Sequence, residues 1–148
     1  MDSKKDFFLG RHYNLKKGEI TQEAFYYQPS DLTSHALITG MTGSGKTGLG
    51  IILIEEAALQ GIPAILVDPK GDLTNLLLTF PDLAPQDFEP WIDANTAKRE
   101  SKSIAEMAES TALLWKKGLA DWGIGSKELS QLKAAADRVV YTPGSSAG

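Results

Sequence analysis

The sequence predicts an α/β fold: a three-layer sandwich with a parallel sheet at its core, preceded by a short N-terminal β-hairpin. Three observations predict it. A short apolar run at 36–39 leads into a glycine-rich loop and then an almost wholly apolar stretch, 49–59. A second apolar run, 64–67, follows one helix later and ends in a carboxylate, Asp68. Strand, helix and strand within about 35 residues make a βαβ unit, whose crossover is right-handed. Residues 139–142 (Val-Val-Tyr-Thr) read as a third core strand, stopped by Pro143-Gly144.

The loop between the first strand and its helix is Gly40-Met41-Thr42-Gly43-Ser44-Gly45-Lys46-Thr47. It fits the phosphate-binding P-loop, so the expected sandwich is of the P-loop nucleoside-triphosphatase kind. Such a loop must bend its backbone around a polyphosphate with consecutive N–H groups pointing inward. Gly43 and Gly45 permit that bend because they tolerate positive φ. Lys46 places a charge between the β- and γ-phosphates, which makes it the candidate catalytic group, and Thr47 offers a hydroxyl to Mg²⁺. The expected binding set is Thr42, Gly43, Ser44, Gly45, Lys46, Thr47 and Gly48, at the positive end of a helix dipole. ATP and Mg²⁺ are the expected ligands.

The chain of 148 residues has room for one domain with a real core. It has no cysteine, which excludes disulfides and thiolate metal sites and suits a cytoplasmic setting. No apolar run approaches the roughly 20 residues of a membrane helix, and the N-terminus lacks a signal-peptide core. The net charge of −4 gives no electrostatic support for a nucleic-acid face on this chain.

In chain order, the aromatic runs 7–9 and 25–27 read as two strands paired as a hairpin, with Lys16 and Lys17 as solvated turn residues. Residues 1–30 form this N-terminal β segment and 31–148 the ATPase core. Gly61 stands where a helix C′ glycine belongs. Asp72 caps a short helix through 73–78. The three prolines of 81–90 predict a surface loop, its end pinned to the core by Trp91 and Ile92. One long helix is expected over 96–119, with Ile104, Met107, Thr111, Leu114 and Trp115 as its apolar stripe. A last helix is expected over 126–137, with Ser126 as N-cap.

Three kinds of P-loop protein compete for the acidic strand end. Asp68-Pro69-Lys70-Gly71 matches the Asp-x-x-Gly of GTPases, but one helix leaves no room for a switch segment, and no Asn-Lys-x-Asp motif occurs. The same stretch looks like that of ParA/MinD-type ATPases, which carry a lysine where this chain has Met41. Finally, His35-Ala-Leu-Ile-Thr-Gly-Met-Thr-Gly-Ser-Gly-Lys-Thr47 with Val67-Asp-Pro-Lys-Gly-Asp72 resembles the HerA–FtsK superfamily of DNA-pumping ATPases, HerA-type proteins most closely. Phe7-Phe-Leu-Gly-Arg11 looks like the β segment that precedes the ATPase core there, and Tyr141-Thr-Pro-Gly144 like a later strand and its loop. The resemblance implies ATP-driven DNA translocation or unwinding by a ring of subunits, a hexamer being the expected ring. It also implies a later strand ending in Asp-Glu and an arginine finger. Neither is found here, so the chain reads as the N-terminal part of such an ATPase, with hydrolysis expected only in the complete protein. Asp68 is then a supporting group rather than the main Mg²⁺ acid. A small-molecule kinase and a non-hydrolysing nucleotide-sensing interaction module remain as alternatives.

Overall fold

The computed structural model describes residues 6–144. Residues 1–5 of the expected N-terminal segment and 145–148 of the expected core lie outside them.

Strands β1 (Phe7–Asn14) and β2 (Glu19–Tyr27) pair antiparallel, so the expected hairpin is present and longer than its aromatic runs. The turn is built locally. Asn14 Oδ1 accepts the N–H groups of Lys16 and Lys17 at 3.0 and 3.1 Å, and Gly18, at φ +67°, donates to the Asn14 carbonyl at 2.8 Å. Cross-strand ring contacts, Phe8 with Tyr26 and His12 with Phe25, add to the pairing. The register shifts between Phe8 and Gly10 and again between Arg11 and Tyr13.

Helix α1 (Lys46–Leu59) begins at the loop lysine, three residues before the apolar run. Its end is a Schellman motif: Gly61, at φ +67°, donates to the Ala58 carbonyl, and Ile62 donates to that of Ala57. Glu56 Oε2 accepts the Phe8 N–H at 3.1 Å, tying β1 to α1 beside the buried Phe7.

The expected parallel sheet is not seen. Among the described residues the hairpin is the one sheet, and 36–39, 64–67 and 139–142 make no backbone hydrogen bonds. A strand needs neighbours for its N–H and C=O groups, and these segments do not supply them to one another. Their side chains nevertheless alternate. Leu37, Ile65, Val67, Val139 and Tyr141 are the more exposed, up to 96% for Ile65, whereas Ile38, Leu66 and Val140 are only 37–42% exposed. Exposure thus alternates along each segment with strand periodicity, while even the less exposed apolar positions remain open to solvent.

The residues up to Leu77 with those from Ala135 form one compact unit, and Leu78–Ala134 another. The second unit is helical: α2 (Pro85–Phe88), α3 (Ala94–Arg99), α4 (Ile104–Ala120) and α5 (Ser126–Ala134). The expected loop 81–90 therefore holds a short helix. Phe88 is buried and Ile92 half-buried, but Trp91 is exposed, so Phe88 does the anchoring expected of Trp91. The expected single helix 96–119 is broken at 100–103, where Ser101 takes φ +56°. Ser103 then starts α4 with a reciprocal capping box to Glu106. The buried stripe of α4 is Ala108 and Ala112, packed with Phe88, while Leu114 and Trp115 are exposed. Small residues let α2 approach closely. Gly125, not Ser126, caps α5: its carbonyl accepts from Leu129, while Ser126 Oγ donates to Asp82.

Candidate functional site

The glycine-rich loop is held by its own backbone. Ser44 donates from its N–H to the Met41 carbonyl at 3.1 Å, and Lys46 Nζ donates to the same carbonyl at 2.6 Å. Gly43 and Gly45 sit at φ +79° and +89°, the left-handed region that glycine adopts without strain. A Cβ on Gly40 would collide with Ser44 Oγ. Gly43 and Gly45 are thus required by conformation, whereas a side chain at Gly40 would oblige Ser44 to turn its hydroxyl away.

Gly45 is the N-cap of α1 and brings no side-chain cap. The first-turn N–H groups of a helix have no partner inside it, and the first turn of α1 holds no acidic residue. Lys46, Thr47 and Gly48 therefore start a helix whose positive end follows directly on the bent loop. Lys46, half-buried, and Thr47, exposed, stand at its start. The donor set fits a polyphosphate: unpaired N–H groups, one ammonium, one hydroxyl and no competing carboxylate in the first turn.

Asp68 is engaged differently. Its Oδ2 accepts the Leu73 N–H and its Oδ1 the Gly71 N–H, both at 2.8 Å. These bonds, Leu73's foremost, hold its carboxyl below the ordinary aspartate value. Around them Gly71 sits at φ +81°, Lys70 pairs with Asp72 at 2.6 Å, and Thr74 Oγ1 donates to the Gly71 carbonyl. The carboxylate organises the turn 69–73. Asp72, expected to cap the short helix, accepts from Asn75 through its carbonyl, while the turn 73–77 is 3₁₀ rather than α.

Two further carboxylates escape a motif-based reading. Burial pushes Glu55 up, partly offset by the Arg138 guanidinium, and burial likewise raises Glu56 against the Phe8 N–H that it accepts. Their signal in the sequence is two acids inside an otherwise apolar helix. A cavity of about 550 Å³, lined by Phe7, Gln28, Pro29, Leu53, Ala57 and Ile62, lies along the later turns of α1, away from the loop.

The family model "Helicase HerA, central domain" matches residues 9–131, most of the chain. The chain belongs to that family of P-loop ATPases. Within this HerA family setting, the chain is also similar to the type 4 coupling protein DotL of Legionella pneumophila. The two are 46% identical over 52 residues, 35% of this chain and 7% of DotL. The stretch shared with that curated relative is thus a small fraction of its length. No solved structure matches the chain. Among the described residues, no helix is long and apolar enough to cross a membrane.

Proposed function

We propose that this chain binds ATP–Mg²⁺ through Thr42, Gly43, Ser44, Gly45, Lys46, Thr47 and Gly48, as the nucleotide-binding part of a HerA/FtsK-like DNA translocase or helicase. The observation that carries this reading is the uncapped first turn of α1 behind the Gly43–Gly45 bend. Gly43 and Gly45 shape the cradle, the first-turn N–H groups meet the phosphate oxygens, and Lys46 leaves the Met41 carbonyl to meet the β- and γ-phosphates. Thr47 would hold Mg²⁺, which when bound neutralises the charge between those phosphates. In the same reading, residues 1–30 lead into an ATPase core over 31–148. The segments 36–39, 64–67 and 139–142 are parallel strands of one sheet, and their bare sides and unpaired backbone call for further strands and a second helical layer. The same reading takes DNA as substrate, a ring of subunits and a cytoplasmic location for the complete protein; membership of the HerA family supports the ring.

Calorimetric titration with ATP and Mg²⁺ tests the proposal. Lys46→Ala removes the cation of the loop, and affinity should fall by about 1.5–3 kcal/mol, the worth of a hydrogen bond to a charged group. Equal affinities for both proteins would sink the assignment.

A further inference from the structure

Helix α4 carries two apolar faces, and its own unit uses one of them. Ala108 and Ala112 are buried with Phe88. Beside them Ile104, Met107, Thr111, Leu114 and Gly118 recur at alternating steps of three and four residues, the spacing of a coiled-coil seam. No charged residue stands among them; Asp121, the next position of the repeat, ends the seam. Leu114 is 71% exposed, Trp115 at the seam's edge 52% and Ile104 44%, with Met107 and Thr111 half-buried. Leaving such a row of large apolar side chains to water is unfavourable, and a seam of this kind takes a second helix.

The charges beside the seam select the helix that fits. Glu106 lies in the first turn of α4 and Lys117 in the last. They are eleven residues apart, about three turns, so they share one flank of the helix. Their midpoint falls at 111–112, and Thr111 is also the middle of the seam. A second α4 laid antiparallel on the first therefore brings its Lys117 beside Glu106 and its Glu106 beside Lys117. Both groups can take such a partner. Lys117 is exposed, and the two bonds that Glu106 accepts from Ser103 both use Oε2. The antiparallel order also opposes the two helix dipoles. In a parallel pair Glu106 comes level with Glu106, and Lys117 with Lys117.

We propose that this seam of α4 is a homotypic interface: two copies of the chain pair through it, antiparallel, with Glu106 and Lys117 meeting across the contact at both ends. Such a contact is isologous, so it joins two copies and goes no further; it does not rest on the ATP reading. Sedimentation equilibrium of the 148-residue chain over a range of concentrations tests it. The unaltered chain should be a reversible monomer–dimer. Leu114→Glu should weaken the dimer by roughly a hundredfold or more, since each dimer loses two buried leucines. Lys117→Glu should weaken it by about tenfold, as two attractions become repulsions. Circular dichroism of each variant checks that its helices are intact; both positions are exposed, and Lys117→Glu decides should the other variant not fold. A chain that stays monomeric at every concentration overturns the inference, the seam then being covered by something other than a copy. So does association that both variants keep, which places the contact elsewhere. The chain has no cysteine, so introduced ones report the direction. Ile104→Cys mixed with Gly118→Cys should be joined by a short bismaleimide, whereas Gly118→Cys alone should not; a Cβ at Gly118 meets nothing within 4 Å. Cross-linking of Gly118→Cys to itself means a parallel pair and overturns the proposed arrangement.

Discussion

Lys46 and Asp68 both bond to backbone, and the chemistry of those bonds separates their roles. Lys46 donates one bond to a loop carbonyl at the rim of an uncapped helix. In the proposed reading that bond would be exchanged for phosphate oxygens at little cost. Asp68 accepts two N–H groups from its own turn, so engaging a ligand would strip Gly71 and Leu73 of their acceptor. Asp68→Asn keeps the shape but leaves one acceptor oxygen in place of two. We expect faster amide exchange at Gly71 and Leu73 and a lower melting temperature, with ATP affinity reduced far less than by Lys46→Ala. Hydrogen exchange and titration on the same variant check both parts, and a loss of ATP affinity equal to that of Lys46→Ala would place Asp68 on the nucleotide instead. The loop residues were legible in the sequence because the spacing of glycines and lysine is itself the geometric requirement. The partners of Asp68 were not, because they arise from a turn that only the positive φ of Gly71 closes.

Among the elements, caps mark the helix boundaries that apolar periodicity missed. The pattern 96–119 reads as one helix, yet Asp93 accepts from the N–H groups of Asn95 and Thr96, and Ser103 with Glu106 forms a second start. Both caps were present in the sequence as Asp-x-x-Thr and Ser-x-x-Glu. The apolar stripe was misplaced because large side chains were taken as the buried ones, whereas α4 buries Ala108 and Ala112. Replacing Ala108 by leucine should therefore destabilise the helical unit by about 1–3 kcal/mol through overpacking, and Ser103→Ala should cost about 1 kcal/mol through the lost cap; chemical denaturation measures each. The caps also set a pH dependence. Hydrogen bonds hold Asp93 (the Thr96 hydroxyl first), Glu106 (the Ser103 N–H first) and Glu128 (the Gly125 N–H first) below their ordinary values. A carboxylate whose folded pKa is depressed adds stability above its unfolded pKa and loses it as pH falls through the folded one. Helical signal from 78–134 should accordingly weaken on acidification below the ordinary carboxylate range of about 4. In the other unit Asp68, held down by the Leu73 N–H first, loses stability on acidification in the same way, whereas Glu55 and Glu56, raised by burial, work in the opposite sense: their contribution is full below the unfolded pKa and is lost as pH rises through the folded one. Residue-resolved melting across that range checks this, and helices of 78–134 that keep their full stability on acidification would contradict the assignment.

Taken as a whole molecule, the described residues set the proposed binding cradle beside no group placed to complete a hydrolytic site. Helix α1 is apolar on nearly every side, yet none of its residues is fully buried, as expected of a helix built for the interior of a larger layered structure. The exposed apolar side chains of 36–39, 64–67 and 139–142 point the same way. Phosphoryl transfer is positioning plus charge stabilisation, and an arginine finger alone is worth about 10³–10⁵ in rate. The chain's arginines are Arg11, Arg99 and Arg138. Arg99 donates to Thr96 within α3, and Arg138 lies near Glu55, beside the later turns of α1. Arg11 is on the hairpin, whose β1 is tied to α1 through Glu56, ten residues beyond Lys46. Asp68, the carboxylate nearest in kind to a water-orienting group, has both oxygens on its own turn. We therefore expect the 148-residue chain to bind ATP and to release phosphate negligibly, with or without DNA. Phosphate release at saturating ATP and Mg²⁺ measures this. Several turnovers per minute, abolished by Lys46→Ala, would mean that this stretch already assembles a complete catalytic site and that its bare strands pair with copies of themselves in solution.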